Sequence, residues 1–138
     1  MHCVNSSIFF SSFLKAPWID IKNKIRLLEW KGRLDLCMYA SRRSPEPLLD
    51  EITNYHPAQP DASSWNDIYQ RICKHDDDGH AIKLVRALSH GEQMCKSYEG
   101  DPKFRVRGKM WLQLGNMGKL GFDIATHINV LTICYSSR

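Results

Sequence analysis

The densest group of residues able to do chemistry lies between positions 76 and 90: Asp76, Asp77, Asp78, His80, Lys83, Arg86 and His90. A carboxylate beside His80 orients the imidazole and favours its charged form, as a general acid or base requires. Lys83, Arg86 and His90 follow one another at steps of three and four, so on a helix they share one side. A stripe of cationic groups suits a phosphate, a carboxylate or a phenolate. On this reading His80 and Asp77 handle protons, and Lys83, Arg86 and His90 hold an anion. Capping and dipole effects produce the same pattern unaided. Aspartates satisfy the first N–H groups of a helix, and a polar stripe opposite an apolar one is ordinarily a solvated face. For chemistry, the stripe must look into a cavity.

Holding that stripe needs a helix with an apolar back. Ala81, Leu84, Val85, Leu88 and Cys95 supply one on a helix from Gly79 to Tyr98, closed by Gly100-Asp101-Pro102. Before it, Ser64-Trp65-Asn66-Asp67 has the spacing of a capping box. It opens a helix with Trp65, Ile68, Tyr69 and Ile72 on one face, ending near Lys74 or His75. Pro57, Pro60, Asp61 and Ser63 mark a loop. Ser44-Pro45-Glu46 reads as the start of a short helix, with Ser44 as its cap. From Ile19 to about Arg42, apolar residues on two adjoining stripes predict a long helix buried on much of its surface. Arg26, Lys31 and Arg33 line the rest. After Pro102, an extended lead-in to Arg107 precedes a helix to about Met117, where Gly115, Gly118 and Gly121 lower helical propensity. The fold class is mainly α: an irregular assembly of about five helices. Residues 1–138 form one helical domain, and positions 1–17 and 118–138 are poorly determined ends.

Composition narrows the function. The 138 residues suffice for one modest domain, and 43% hydrophobic with 25% charged residues is an ordinary globular balance. Nineteen Lys and Arg against fifteen Asp and Glu leave a net charge of +4, short of a dedicated nucleic-acid binder. The alternation Lys103, Arg105, Arg107, Lys109 beside Phe104 is too short to change that, so no nucleic-acid partner is expected. No apolar run reaches the ~18 residues of a membrane helix, and no membrane partner is expected. Met1 to Leu14 lacks a basic start, is broken by Ser11 and Ser12, and has no clean cleavage site. It reads as non-targeting, hence a cytoplasmic protein. Five cysteines, Cys3, Cys37, Cys73, Cys95 and Cys134, are odd in number and form no C-x-x-C pair. They read as buried thiols in a reducing compartment rather than a disulfide or zinc framework. Glycine-rich flavin, nicotinamide and Walker signatures are absent, as are G-x-S-x-G and H-E-x-x-H. No flavin or metal motif is present.

Several blocks resemble one family. Trp30-Lys31-Gly32-Arg33-Leu34-Asp35, Tyr39-Ala40-Ser41-Arg42, Pro45 and Leu49-Asp50-Glu51 are similar to the questin oxidase-like family of fungal oxidoreductases. So are Asp77-Asp78-Gly79-His80-Ala81, Lys83-Leu84-Val85-Arg86-Ala87-Leu88, Gly91-Glu92, Lys109-Met110-Trp111-Leu112 and Asn116-Met117. The resemblance covers about Glu29 to Met117. The region before about Trp18 does not match, and after Met117 the expected helical continuation is replaced. Family members run to several hundred residues, so the resemblance implies a truncated member, an incomplete part of a larger all-helical enzyme. The resemblance implies a mostly helical protein and Baeyer–Villiger-type oxidative cleavage of aromatic polyketide rings, with O2 and NADPH. It carries over no catalytic residue but raises the weight on His80, Lys83 and Arg86, which lie in its most recognisable block; the residue reading then expects His80 with Asp77 at proton transfer and Lys83, Arg86 and His90 at NADPH or a substrate phenolate. The alternative reading is a non-catalytic helical interaction module derived from that fold. It would self-associate through uncovered apolar faces at Trp30, Trp65 or Trp111.

Overall fold

A computed structural model describes residues 2–56, 62–74 and 78–118. Among them are six α-helices and no strand: α1 (His2–Lys15), α2 (Ile21–Ser41), α3 (Leu49–Thr53), α4 (Trp65–Ile72), α5 (His80–Cys95) and α6 (Met110–Met117). A single 3-10 turn (Lys96–Tyr98) continues α5. The mainly α class is as expected, with one helix more than the sequence suggested. The addition is α1, formed by the serine-rich start.

Local chemistry accounts for most boundaries. Asp20 caps α2, its Oδ1 accepting from the Asn23 N–H at 2.8 Å. Ser64 caps α4, its Oγ accepting from Asp67 N–H at 3.2 Å and donating to Asp67 Oδ2 at 2.7 Å. Gly79 precedes α5 at φ +82°, a left-handed turn that a glycine enters without Cβ strain. Helix α4 ends at Ile72, two to three residues before the expected stop at Lys74 or His75.

The Ser44 cap is a correction. Arg43 and Ser44 sit at φ +65° and +45°, and their N–H groups return to Ala40 and Tyr39 carbonyls. They close the end of α2 instead of opening α3, which starts at Leu49 without a side-chain cap. The Tyr39 hydroxyl donates to the Pro45 carbonyl at 3.0 Å and pins this reversal.

Helix α5 is the hub, packed against α1, α4 and α6. One apolar cluster joins Ile52, Leu88, Val106, Trp111, Leu114 and Met117, and a second joins Ala62, Ile68, Ile72, Ala81 and Val85. The predicted back of α5 is therefore its core face. The lead-in before α6 contributes Val106 to the first cluster.

Two close approaches set the spacing. A Cβ on Gly115 would lie 2.7 Å from Trp65 Cζ3 and 2.9 Å from Ile68 Cδ1, and one on Gly91 would lie 2.9 Å from Trp111 Cζ3. Asn116 then ties α6 to the segment before α4. Its Oδ1 accepts from the Ala62 N–H and from Arg71, and its Nδ2 donates to the Ala62 and Leu112 carbonyls.

Helix α2 departs most from expectation. It packs on α1 alone among the described elements, and most of its apolar side chains are exposed. Lys31, expected on the outer face, is instead buried and paired with buried Asp35 one turn on. The thiols also differ from the buried reading: Cys3 is buried and Cys95 half-buried, but Cys37 and Cys73 are exposed.

Candidate functional site

The site is built on the start and outer side of α5. Asp78 accepts the His80 backbone N–H at 3.3 Å, and its Oδ1 lies 2.5 Å from His80 Nδ1. The hydrogen bond from the His80 side chain holds the Asp78 carboxyl below the usual aspartate range, aided by the His80 backbone N–H and the charge of Lys83. The pair is a carboxylate-oriented imidazole, half-buried at the ring and open at the acid. Asp77, the expected partner, lies outside the described residues. Among those described, the acid paired with His80 is Asp78.

The cationic stripe divides. Lys83 and Arg86 are exposed, whereas His80 and His90 are half-buried. The difference comes from α1, which runs alongside α5 in the same direction. The His2 ring meets the His80 ring edge-on at 6.3 Å between centroids. Arg86 Nη2 donates to Asn5 Oδ1 at 3.4 Å, and Ser11 Oγ lies 2.8 Å from His90 Nε2. One side of the stripe thus borders an interhelical seam, but Lys83 and Arg86 project from its rim into solvent, so these two do not face the cavity the sequence reading required.

Sequence reasoning missed the α1 partners His2, Asn5 and Ser11. The available signal was modest: His2 and Asn5 stand three apart, one helical turn. It also missed the buried Lys31–Asp35 pair, although an i, i+4 spacing of opposite charges announces one. Burial pushes the Cys3 thiol above its ordinary range, and so does its hydrogen bond to Asp35, against the opposing charge of Lys31. Another unanticipated tie is Trp65 Nε1 donating to Glu92 Oε2 at 2.6 Å, which joins α4 to α5.

The donor set is anion-binding in character. Exposed Lys83 and Arg86, one turn apart, are suited to phosphate oxygens. His90 is already engaged by Ser11. No group of three or more metal-ligating side chains occurs among the described residues. No helix there is long and apolar enough to cross a membrane.

A mainly α chain, with no strand among its described residues and no dinucleotide fingerprint, carrying a carboxylate-oriented histidine beside solvent-facing cations, is an α-class candidate for proton and anion chemistry. Comparison with known proteins narrows the class. The questin oxidase-like family model matches residues 1–88, and the chain belongs to that family. The match includes α1, so the expectation that the residues before Trp18 fall outside the family is corrected.

The chain is 42% identical over 120 residues to Baeyer-Villiger oxidase ptaJ of Pestalotiopsis fici, covering 85% of this chain and 27% of that protein. It is 41% identical over 117 residues to Baeyer-Villiger oxidase mdpL of Emericella nidulans, covering 85% and 26%. It is 40% identical over 117 residues to oxidoreductase AflY of Aspergillus parasiticus, covering 85% and 23%. The chain spans about a quarter of the length of these relatives.

Proposed function

We propose that this chain supplies one wall of an oxygen-inserting site of Baeyer–Villiger type. That site acts on aromatic polyketides with O2 and with NADPH as reductant. The overall change converts a ring ketone, O2, NADPH and a proton into a ring-expanded ester, water and NADP+. NADPH, when bound, supplies the two electrons that reduce the second oxygen atom to water. The observation that carries the reading is the Asp78–His80 pair at the head of α5, next to the exposed Lys83.

In this reading His80 accepts the proton of a substrate phenol, and Asp78 stabilises the imidazolium that results. Lys83 balances the phenolate. Arg86, beside it, takes a phosphate of the reductant. His90, grouped with these two by spacing, works through Ser11 by holding α1 against the stripe. Asp77 remains a candidate acid partner of His80. The chain works in the cytoplasm.

The test uses intact relatives as well as this chain. His80→Ala at the matching position of a full-length relative lowers turnover by roughly 10²- to 10⁴-fold, and Lys83→Ala raises KM more than it lowers kcat. Unchanged turnover in both variants removes these roles. In this chain, NADPH binding followed by fluorescence weakens on Arg86→Ala. Equal binding by that variant takes the cofactor away from α5.

A second reading has its own observation. Trp30 is exposed, as an interaction module requires, although Trp111 is buried and Trp65 half-buried, so two of the three expected faces are closed.

A further inference from the structure

Helix α2 carries four distinct stripes, read from its 3.6-residue turn. Lys22, Arg26, Glu29 and Arg33 form an exposed charged stripe, with Arg33 paired to Glu29. On the opposite side Lys24, Lys31, Asp35 and Met38 form the stripe that is at least partly covered, and α1 packs there. Between these lie two apolar stripes on nearly opposite flanks. One is Ile21, Ile25, Leu28 and Leu36, with Ile21 72% and Leu36 60% exposed. The other is Leu27, Trp30 and Leu34, with Trp30 61% and Leu34 56% exposed.

This arrangement is inverted for a surface helix. Its covered side holds an ion pair, and its bare flanks hold Ile, Leu and Trp. Burying a charge pair gains little stability, so α1 alone does not justify so much apolar surface on α2. The charged stripe marks the one direction meant for water. Both flanks are built for contact.

We infer that α2 is an interior helix whose two apolar flanks dock two further helices of the family fold. These helices, each with an apolar edge, come from the portion of the family's chain beyond the quarter that this chain spans. Two observations select this occupant over a second copy. A two-fold dimer pairs one patch with itself, so it covers one flank and leaves the other bare. Joining one flank to the opposite flank of the next copy requires a closed ring or an open array, a larger assembly than a dimer. The relatives also possess the required length, since the matched segment occupies only 26–27% of two of them. The inference does not depend on which activity the site performs.

The test grafts this chain in place of the matching segment of the intact Emericella nidulans relative and follows thermal unfolding. Leu36→Asp on one flank and Leu34→Asp on the other each lower Tm by about 5 °C or more, since a carboxylate is forced into an apolar contact. Glu29→Ala on the charged stripe leaves Tm within about 1 °C. In the ungrafted chain the same two Asp substitutions act in the opposite direction, lowering apolar-dye binding and self-association. Several results overturn the inference: a graft with no cooperative transition, a Tm insensitive to both Asp variants, or sensitivity to one flank only. A closed dimer of the ungrafted chain that binds no dye also overturns it.

Discussion

Cys3 shows how a single side chain reports on its surroundings. Its thiol lies on α1, buried beside Asp35 of α2, and is shifted toward its protonated form by that burial and by Asp35. A raised folded-state pKa means that the associated stability is complete below the ordinary thiol range and is lost as the pH rises through the raised value. Thiol-modifying reagent near pH 8 therefore labels exposed Cys37 and Cys73 first and Cys3 last, as peptide mapping by mass spectrometry will show. Asn116 is the polar counterpart. Replacing it with Ala strands the buried Ala62 N–H and costs about 1–3 kcal/mol in denaturant unfolding. Neither role was legible in the sequence. A lone cysteine and a lone asparagine carry no periodic signal, and their partners lie 32 and 54 residues away.

At the scale of elements, legibility followed amphipathicity. Helix α5 was readable because Ala81, Val85 and Leu88 recur on one side, and α4 because Ser64 and Asp67 fix its start. The start of α3 was misread, because Ser44 carries a capping side chain but a left-handed backbone, which local composition does not reveal. Gly115 was read as a weakness of α6, whereas it is the site where α6 meets Trp65 and Ile68. Gly115→Ala accordingly destabilises by about 1–3 kcal/mol despite its better helix propensity, since overpacking outweighs that gain. Denaturant melts of the two forms decide the sign. Ser64→Ala costs about 1 kcal/mol near neutral pH. Hydrogen bonds from Ser64 and Ser63 lower the Asp67 pKa, so its contribution is present above the ordinary carboxylate range and is lost as pH falls through the lowered value. Acid titration of stability then shows a shallower decline in Ser64→Ala than in the parent.

For the whole molecule, the sequence conveyed the helical class and the family, because both rest on extended patterns. It did not convey that the opening segment belongs to the structure. Serines interrupt the apolar residues of α1, and its packing becomes meaningful only against α5. The candidate site is thus shared between the first helix and one that begins 78 positions after it. The Ser11–His90 and Asn5–Arg86 links close loops of 79 and 81 residues. During synthesis at ~5–20 residues per second, α1 leaves the ribosome on the order of 4–16 s before its partners do. Over that interval α1 has no α5 to pack against, and Phe10 and Phe13, half-buried in the fold, stay bare. The nascent chain therefore offers chaperones an early apolar handle, withdrawn only when the histidine-bearing helix emerges.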